Sequence, residues 1–276
     1  MAAQMQWFMA NPAVTHMGLL LSADTAAYAG HLKQARDLNR QAVDSAIQAD
    51  SRENASLWWD EAALREAAFG NPTQAREDAA AALKLTPDSE GVGIESALAD
   101  AMAGDTATAE SLAADLNKRF SSDTRMQSLW LPAIQAQIAL DRHNPVSAIA
   151  DLQNLQPPIQ YGEIAWAANI SSLYPNYIRG EAYLAAGQGA QASADFQAIL
   201  DHPGIVWNSW TGALAHLGLA RANALEARTS TGTDSDAARS RALAAYEDFL
   251  TLWKNADPDI PVYREAREEY AKLMQA

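Results

Sequence analysis

Apolar residues fall along the chain in stretches with helical spacing. Most of the 14 Gly and 11 Pro stand between those stretches, where they punctuate rather than interrupt. The punctuation itself recurs. Gly70 and Gly104 are 104 − 70 = 34 residues apart, and their surroundings align: Ala75 with Ala109, Ala79 with Ala113, and Ala82 with Leu116. A third copy runs through Tyr177, Gly180, Tyr183, Gly187, Ala192, Phe196 and Ile199. Weaker copies centre on Gly30 with Ala35 and Ala42, on Trp130 with Ala136, Ala148 and Leu152, and on Gly218 with Ala242, Tyr246 and Phe249. A single helix pair cannot bury its apolar face alone, so this recurrence predicts a stack of pairs.

The period of about 34 residues is that of tetratricopeptide (TPR) repeats. The run Gly180-x2-Tyr183-x3-Gly187-x4-Ala192-x3-Phe196 is similar to their consensus at each step, and Pro87 stands where that consensus closes a unit. In such repeats small residues let two helices approach, while Tyr183, Phe196 and Tyr246 fill the space between neighbouring pairs. Gly180 is expected at the tightest crossing, and Gly70, Gly104 and Gly187 at turns. The resemblance implies an all-α fold, a right-handed α-α superhelix (TPR solenoid) of about six helix pairs plus a C-terminal capping helix. A single domain over residues 1–276 is expected, with repeats at 17–50, 56–89, 90–123, 124–156, 173–206 and 208–258. Residues 1–16 read as an N-terminal remnant or cap, 157–172 as an insertion carrying Tyr161 and Trp166, and 259–276 as the capping helix. Residues 227–236 (ARTSTGTDSD) read as a polar, mobile loop whose deletion costs little.

Hydrophobic residues at 49% against 20% charged make the chain globular rather than disordered. Alanine is the commonest type, which suits closely packed helices. The net charge of -14, with no stripe of Lys or Arg, argues against nucleic acid and leaves a basic ligand open. With no Cys, thiol catalysis, disulfides and Cys-ligated metals are excluded. No apolar run is long enough for membrane insertion of this segment. Residues 1–7 lack the features of a signal peptide, the expectation being a piece of a longer chain that is cytoplasmic or extracytoplasmic according to what precedes it.

Candidate chemistry is sparse. His16, His31, His143, His202 and His216 have no partner at metal-ligand spacing, so no metal is expected. There is no nucleophile elbow, phosphate loop or dinucleotide fingerprint, and no cofactor is implied. Adjacent carboxylates such as Asp60 and Glu61 splay around a helix instead of converging, so no enzymatic activity is expected. Among eight tryptophans, Trp59 reads as core, Trp58, Trp207 and Trp210 as staples between units, and Trp166 as a ligand contact.

A closer resemblance spans most of the chain. Residues 22–28 (SADTAAY), 179–185 (RGEAYLA), 199–206 (ILDHPGIV) and 252–261 (LWKNADPDIP) resemble the C-terminal region of bacterial eukaryotic-like serine/threonine kinases. No Gly-rich loop, H-R-D or D-F-G is present, so the resemblance implies a sensor or scaffold portion of a signalling protein rather than the kinase itself. TPR domains bind protein segments on the concave face lined by first helices. There the chain offers Asp60, Leu64, Leu98, Gln137, Leu140, Tyr177, Glu181, Leu184 and Leu219, with Trp166 and Tyr161 as one lip. Without a basic clamp, C-terminal carboxylates are not the expected ligands. An apolar track with acidic spots suits a protein or peptide segment carrying basic residues, a homo-oligomer is the alternative, and a small-molecule pocket beneath the insertion is a third.

Overall fold

The computed structural model describes residues 2–153, 170–171 and 173–275, which are mostly helical with no strand among them. A short helix α1 (Ala2–Ala10) precedes six hairpins. The first three are α2 (Thr15–Tyr28) with α3 (Leu32–Gln48), α4 (Arg52–Phe69) with α5 (Pro72–Leu85), and α6 (Glu90–Met102) with α7 (Thr106–Arg119). A π-turn, Met126–Trp130, leads into α8 (Leu131–Asp141), which pairs with α9 (Pro145–Leu152). Then come α10 (Tyr174–Ala185) with α11 (Gly189–Leu200), the single turn α12 (Pro203–Val206), α13 (Trp210–Thr229) with α14 (Thr233–Leu252), and α15 (Pro261–Gln275).

The hairpin turns repeat one piece of backbone chemistry. Gly30, Gly70, Gly104 and Gly187 all take positive φ, between 76° and 92°. In each case the next residue's N–H reaches back to a carbonyl five residues earlier, as Asn71 N to Glu66 O at 2.8 Å and Gln188 N to Tyr183 O at 2.8 Å. This closes the orphan carbonyls of the helix end, and glycine takes the left-handed conformation at no steric cost. The fourth hairpin makes the same turn with His143 at φ 55°, which hid it from a search for glycine.

First helices pack on first helices, α4 on α6, α6 on α8, α8 on α10 and α10 on α13. The row does not stay open. α13 returns to α2, and α15 lies on α4. At this seam the Trp253 indole N–H donates to Tyr28 O at 3.0 Å, and Asp257 N–H donates to Gly30 O at 2.9 Å. Asn208 donates its amide to Leu21 O and to the Thr25 hydroxyl, at 2.9 and 2.8 Å. Gly30 makes the approach possible, since a Cβ there would lie 2.5 Å from Ala256 Cβ and 2.9 Å from the Trp253 ring. Six hairpins thus form a closed ring with first helices inside. Residues 91 to 101 of α6 are all buried, as they must be when a helix has neighbours on every side.

The tight crossing predicted at Gly180 is one half of a pair. Phe196 on α11 is fully buried between Gly180 and Gly218, where added Cβ atoms would come to 2.8 and 2.5 Å of its ring. Gly218 is therefore the tighter of the two. Gly218→Ala should destabilise by about 1–3 kcal/mol through overpacking, and Gly218→Ala combined with Phe196→Leu should recover part of the loss. An unchanged urea midpoint in the single variant would mean the crossing is looser than these distances.

Two expectations are corrected. Residues 227–236 are not a long loop: α13 runs to Thr229 and α14 begins at Thr233. Asp234 and Asp236 sit in the first turn of α14, where a carboxylate meets the positive helix end, and the Ser235 hydroxyl donates to Ala227 O at 2.7 Å. Deleting the segment would remove helix from both elements. The tryptophan roles change in part. Trp58 does join neighbouring hairpins, its buried indole N–H donating to His16 Nδ1 on α2 at 3.2 Å, while Trp59 is only half-buried. Trp207 is no staple but stands 66% exposed, at φ 54°.

Candidate functional site

Closure of the ring redistributes the residues expected on a concave track. Asp60, Leu64 and Leu98 are fully buried and present no surface to a partner. Leu184 and Leu219 are half-buried against the cluster around Phe196. Tyr161 and Trp166 lie outside the described residues. The remaining four, Gln137, Leu140, Tyr177 and Glu181, come together at one mouth of the ring.

That mouth holds a cavity of roughly 370 Å³, lined from α4, α6, α8, α10, α13 and α15. First helices run in the same sense, so α4, α6, α8 and α10 present their C-terminal turns to it, through Ala67, Met102, Asp141 and Ala185 among others. The wall behind is aromatic. Tyr177 meets Trp210 edge-on at 5.3 Å and Phe196 at 5.8 Å, and stacks with Tyr174 at 6.4 Å. Burial pushes the Tyr177 hydroxyl well above its ordinary range, with the Glu181 charge adding to it. Burial also raises the Glu181 carboxyl, against the pull of Arg221.

Arg221 is held in place by α15. Glu269 accepts from its Nε and Nη2 at 3.0 Å each, Glu265 lies 3.5 Å from Nη2, and the Tyr246 hydroxyl donates to Glu269 at 2.9 Å. The sequence reading passed over Arg221 and Glu265. Their signal was the four-residue spacing of Glu265 and Glu269, which puts two carboxylates on one face of a helix beside the last hairpin.

Away from the mouth, buried carboxylates gather on α2, α4, α5 and α6. Ser96 donates to Asp60 Oδ1 at 2.6 Å, and Asp60 Oδ2 is buried without a hydrogen bond. Burial drives the Asp60 carboxyl well above the carboxylate range, and pushes Asp24 and Asp100 up to about 7 and Asp78 to about 6. Arg65, buried beside them, lies 3.5 Å from Asp24. No group of three or more His, Cys, Asp or Glu among the described residues is arranged to hold a metal. No helix among them is long and apolar enough to cross a membrane. The chain matches no protein-family model and no curated protein.

Proposed function

We propose that the chain is a tetratricopeptide-type binding module, wound in the right-handed α-α sense, that performs no catalysis and holds a protein segment at the mouth of its ring. The signalling context is the sensor or scaffold portion of a bacterial kinase, supported by the four stretches that resemble that region. The repeat type is supported by the recurring left-handed turn at Gly30, Gly70, Gly104 and Gly187 and by the small-residue crossing at Gly180 and Gly218. The observation that carries the binding role is the cavity where Gln137, Leu140, Tyr177 and Glu181 of the expected track meet. Its volume suits one anchoring side chain and its neighbours, being at the small end of the roughly 300–1,000 Å³ typical of ligand sites.

Photo-crosslinking from position 137 in the native host, against a Tyr177→Ala/Glu181→Lys variant, tests this. Wild type should capture discrete partners, and the variant should lose them by about tenfold or more, the scale of a removed aromatic hot spot. Equal capture by both proteins would remove the mouth from the binding role. A second reading, self-association, has one observation in its favour. Trp207, 66% exposed, stands beside Leu21 at 39%, joined through Asn208. Light scattering that finds a single-chain mass at working concentration would eliminate it.

A further inference from the structure

Four inner helices, α4, α6, α8 and α10, end at the mouth cavity, and none carries a Lys or Arg in its last turn. Helix C-termini bear partial negative charge on carbonyls that have no intrahelical partner, and a cation within the last turn is the usual compensation. Here the turn N–H groups close some of those carbonyls and Arg76 donates to Ala103 O at the end of α6, at 2.9 Å, while α4, α8 and α10 face the space with no cation in the last turn. The side chains add to the deficit. Asp141, Glu181 and Glu265 line the cavity, and among the described lining residues Arg221 is the sole cation. Arg221 is already engaged by Glu269 through two nitrogens. The Glu181 carboxylate makes no hydrogen bond or ion pair among the described residues, although it sits half-buried beside Tyr177.

Resting on the binding role argued above, we propose that the mouth cavity receives one arginine or lysine side chain of the bound segment. Glu181 takes the cationic head, the converging helix ends supply the surrounding negative field, and the stem lies along Tyr177 and Leu140. Long basic side chains suit such a site, since an apolar stem covers the wall while the charge reaches the carboxylate. The geometry also disfavours the opposite ligand. An acidic side chain or terminal carboxylate would enter a cavity in which carboxylates outnumber the one committed guanidinium.

The test starts from a displayed library of random dodecapeptides, selected on the full chain. Selected peptides, made synthetically, are titrated by fluorescence polarisation in their original form and with the basic residue replaced, arginine by citrulline or lysine by acetyl-lysine. The expected result is a basic residue at a fixed position, and about a tenfold loss on replacement, the scale of one charge-assisted hydrogen bond. Glu181→Gln should erase that difference while leaving the melting temperature and circular dichroism unchanged. Peptides that bind but tolerate citrulline or acetyl-lysine equally well would overturn the cation site and leave the binding module standing. Failure of the folded protein to retain any peptide would overturn both.

Discussion

Replacing Trp253 by alanine should cost about 3–5 kcal/mol, the range for truncating a fully buried tryptophan, and should open the ring at its seam. Trp253 follows the last helix of the last hairpin, yet several of its neighbours come from the other end of the chain. It meets Phe69 on α4 edge-on at 5.0 Å and Tyr263 on α15 at 5.9 Å, packs on Gly30, and donates to Tyr28. Truncation removes these contacts together and leaves Tyr28 O to find another donor. The exposed ion pair of Lys33 with Asp259, 63% exposed on each side, adds little that would hold the seam shut. Urea denaturation gives the energy, and faster hydrogen exchange in α2 than in α6 would mark the seam as the place of opening. Trp207→Ala, at an exposed position, is the control and should leave stability nearly unchanged. Equal losses in the two variants would mean that Trp253 is not what joins the ends.

The second large effect is a fall in stability as pH rises. Asp24 and Asp100 titrate near 7, Asp78 near 6 and Asp60 well above the carboxylate range, in every case chiefly because burial disfavours the ion. In the unfolded chain the same groups titrate near pH 4. Between about pH 4 and 7 the folded state therefore holds protons that the unfolded state has lost, and stability drops across that window. His16 and His216, kept below the ordinary imidazole range by burial, oppose this below about pH 6.5, but the raised carboxylates outnumber them. From pH 5 to pH 8 the loss should be about 2–4 kcal/mol, or on the order of 5 °C in melting temperature for a chain of this length. Asp60→Asn with Asp100→Asn should flatten the profile. A melting temperature that climbs from pH 5 to 8 would mean these carboxylates are ionised in the fold.

How much of this could be read from sequence depended on whether the cause was local. The turns at Gly70, Gly104 and Gly187 were legible because a left-handed residue in a tight turn favours glycine. The same turn at His143 was not, since nothing in its composition declares it. Residues 227–236 misled for a related reason: Ser, Thr and Asp favour loops and also helix starts, and here three residues sufficed to turn the chain. Ring closure had no local signature, because it depends on angles accumulated over six hairpins. Asp60, Leu64 and Leu98 stand on the first helices α4 and α6, yet they are fully buried, which their spacing along the chain does not announce. Of the expected binding residues, Gln137, Leu140, Tyr177 and Glu181 line the mouth cavity, on α8 and α10.

Closure also limits how such a chain can change in size. An open array of repeats can gain or lose a unit, because each contacts only its neighbours and either end tolerates a new one. Here the units must bring Gly30 back to Ala256, so duplicating one hairpin would carry the last unit past its mate and strand both apolar ends in water. The number of hairpins is therefore fixed by geometry much as the number of blades is fixed in a propeller. Length can still be varied in the connections between helices, where added residues leave the circumference unaltered.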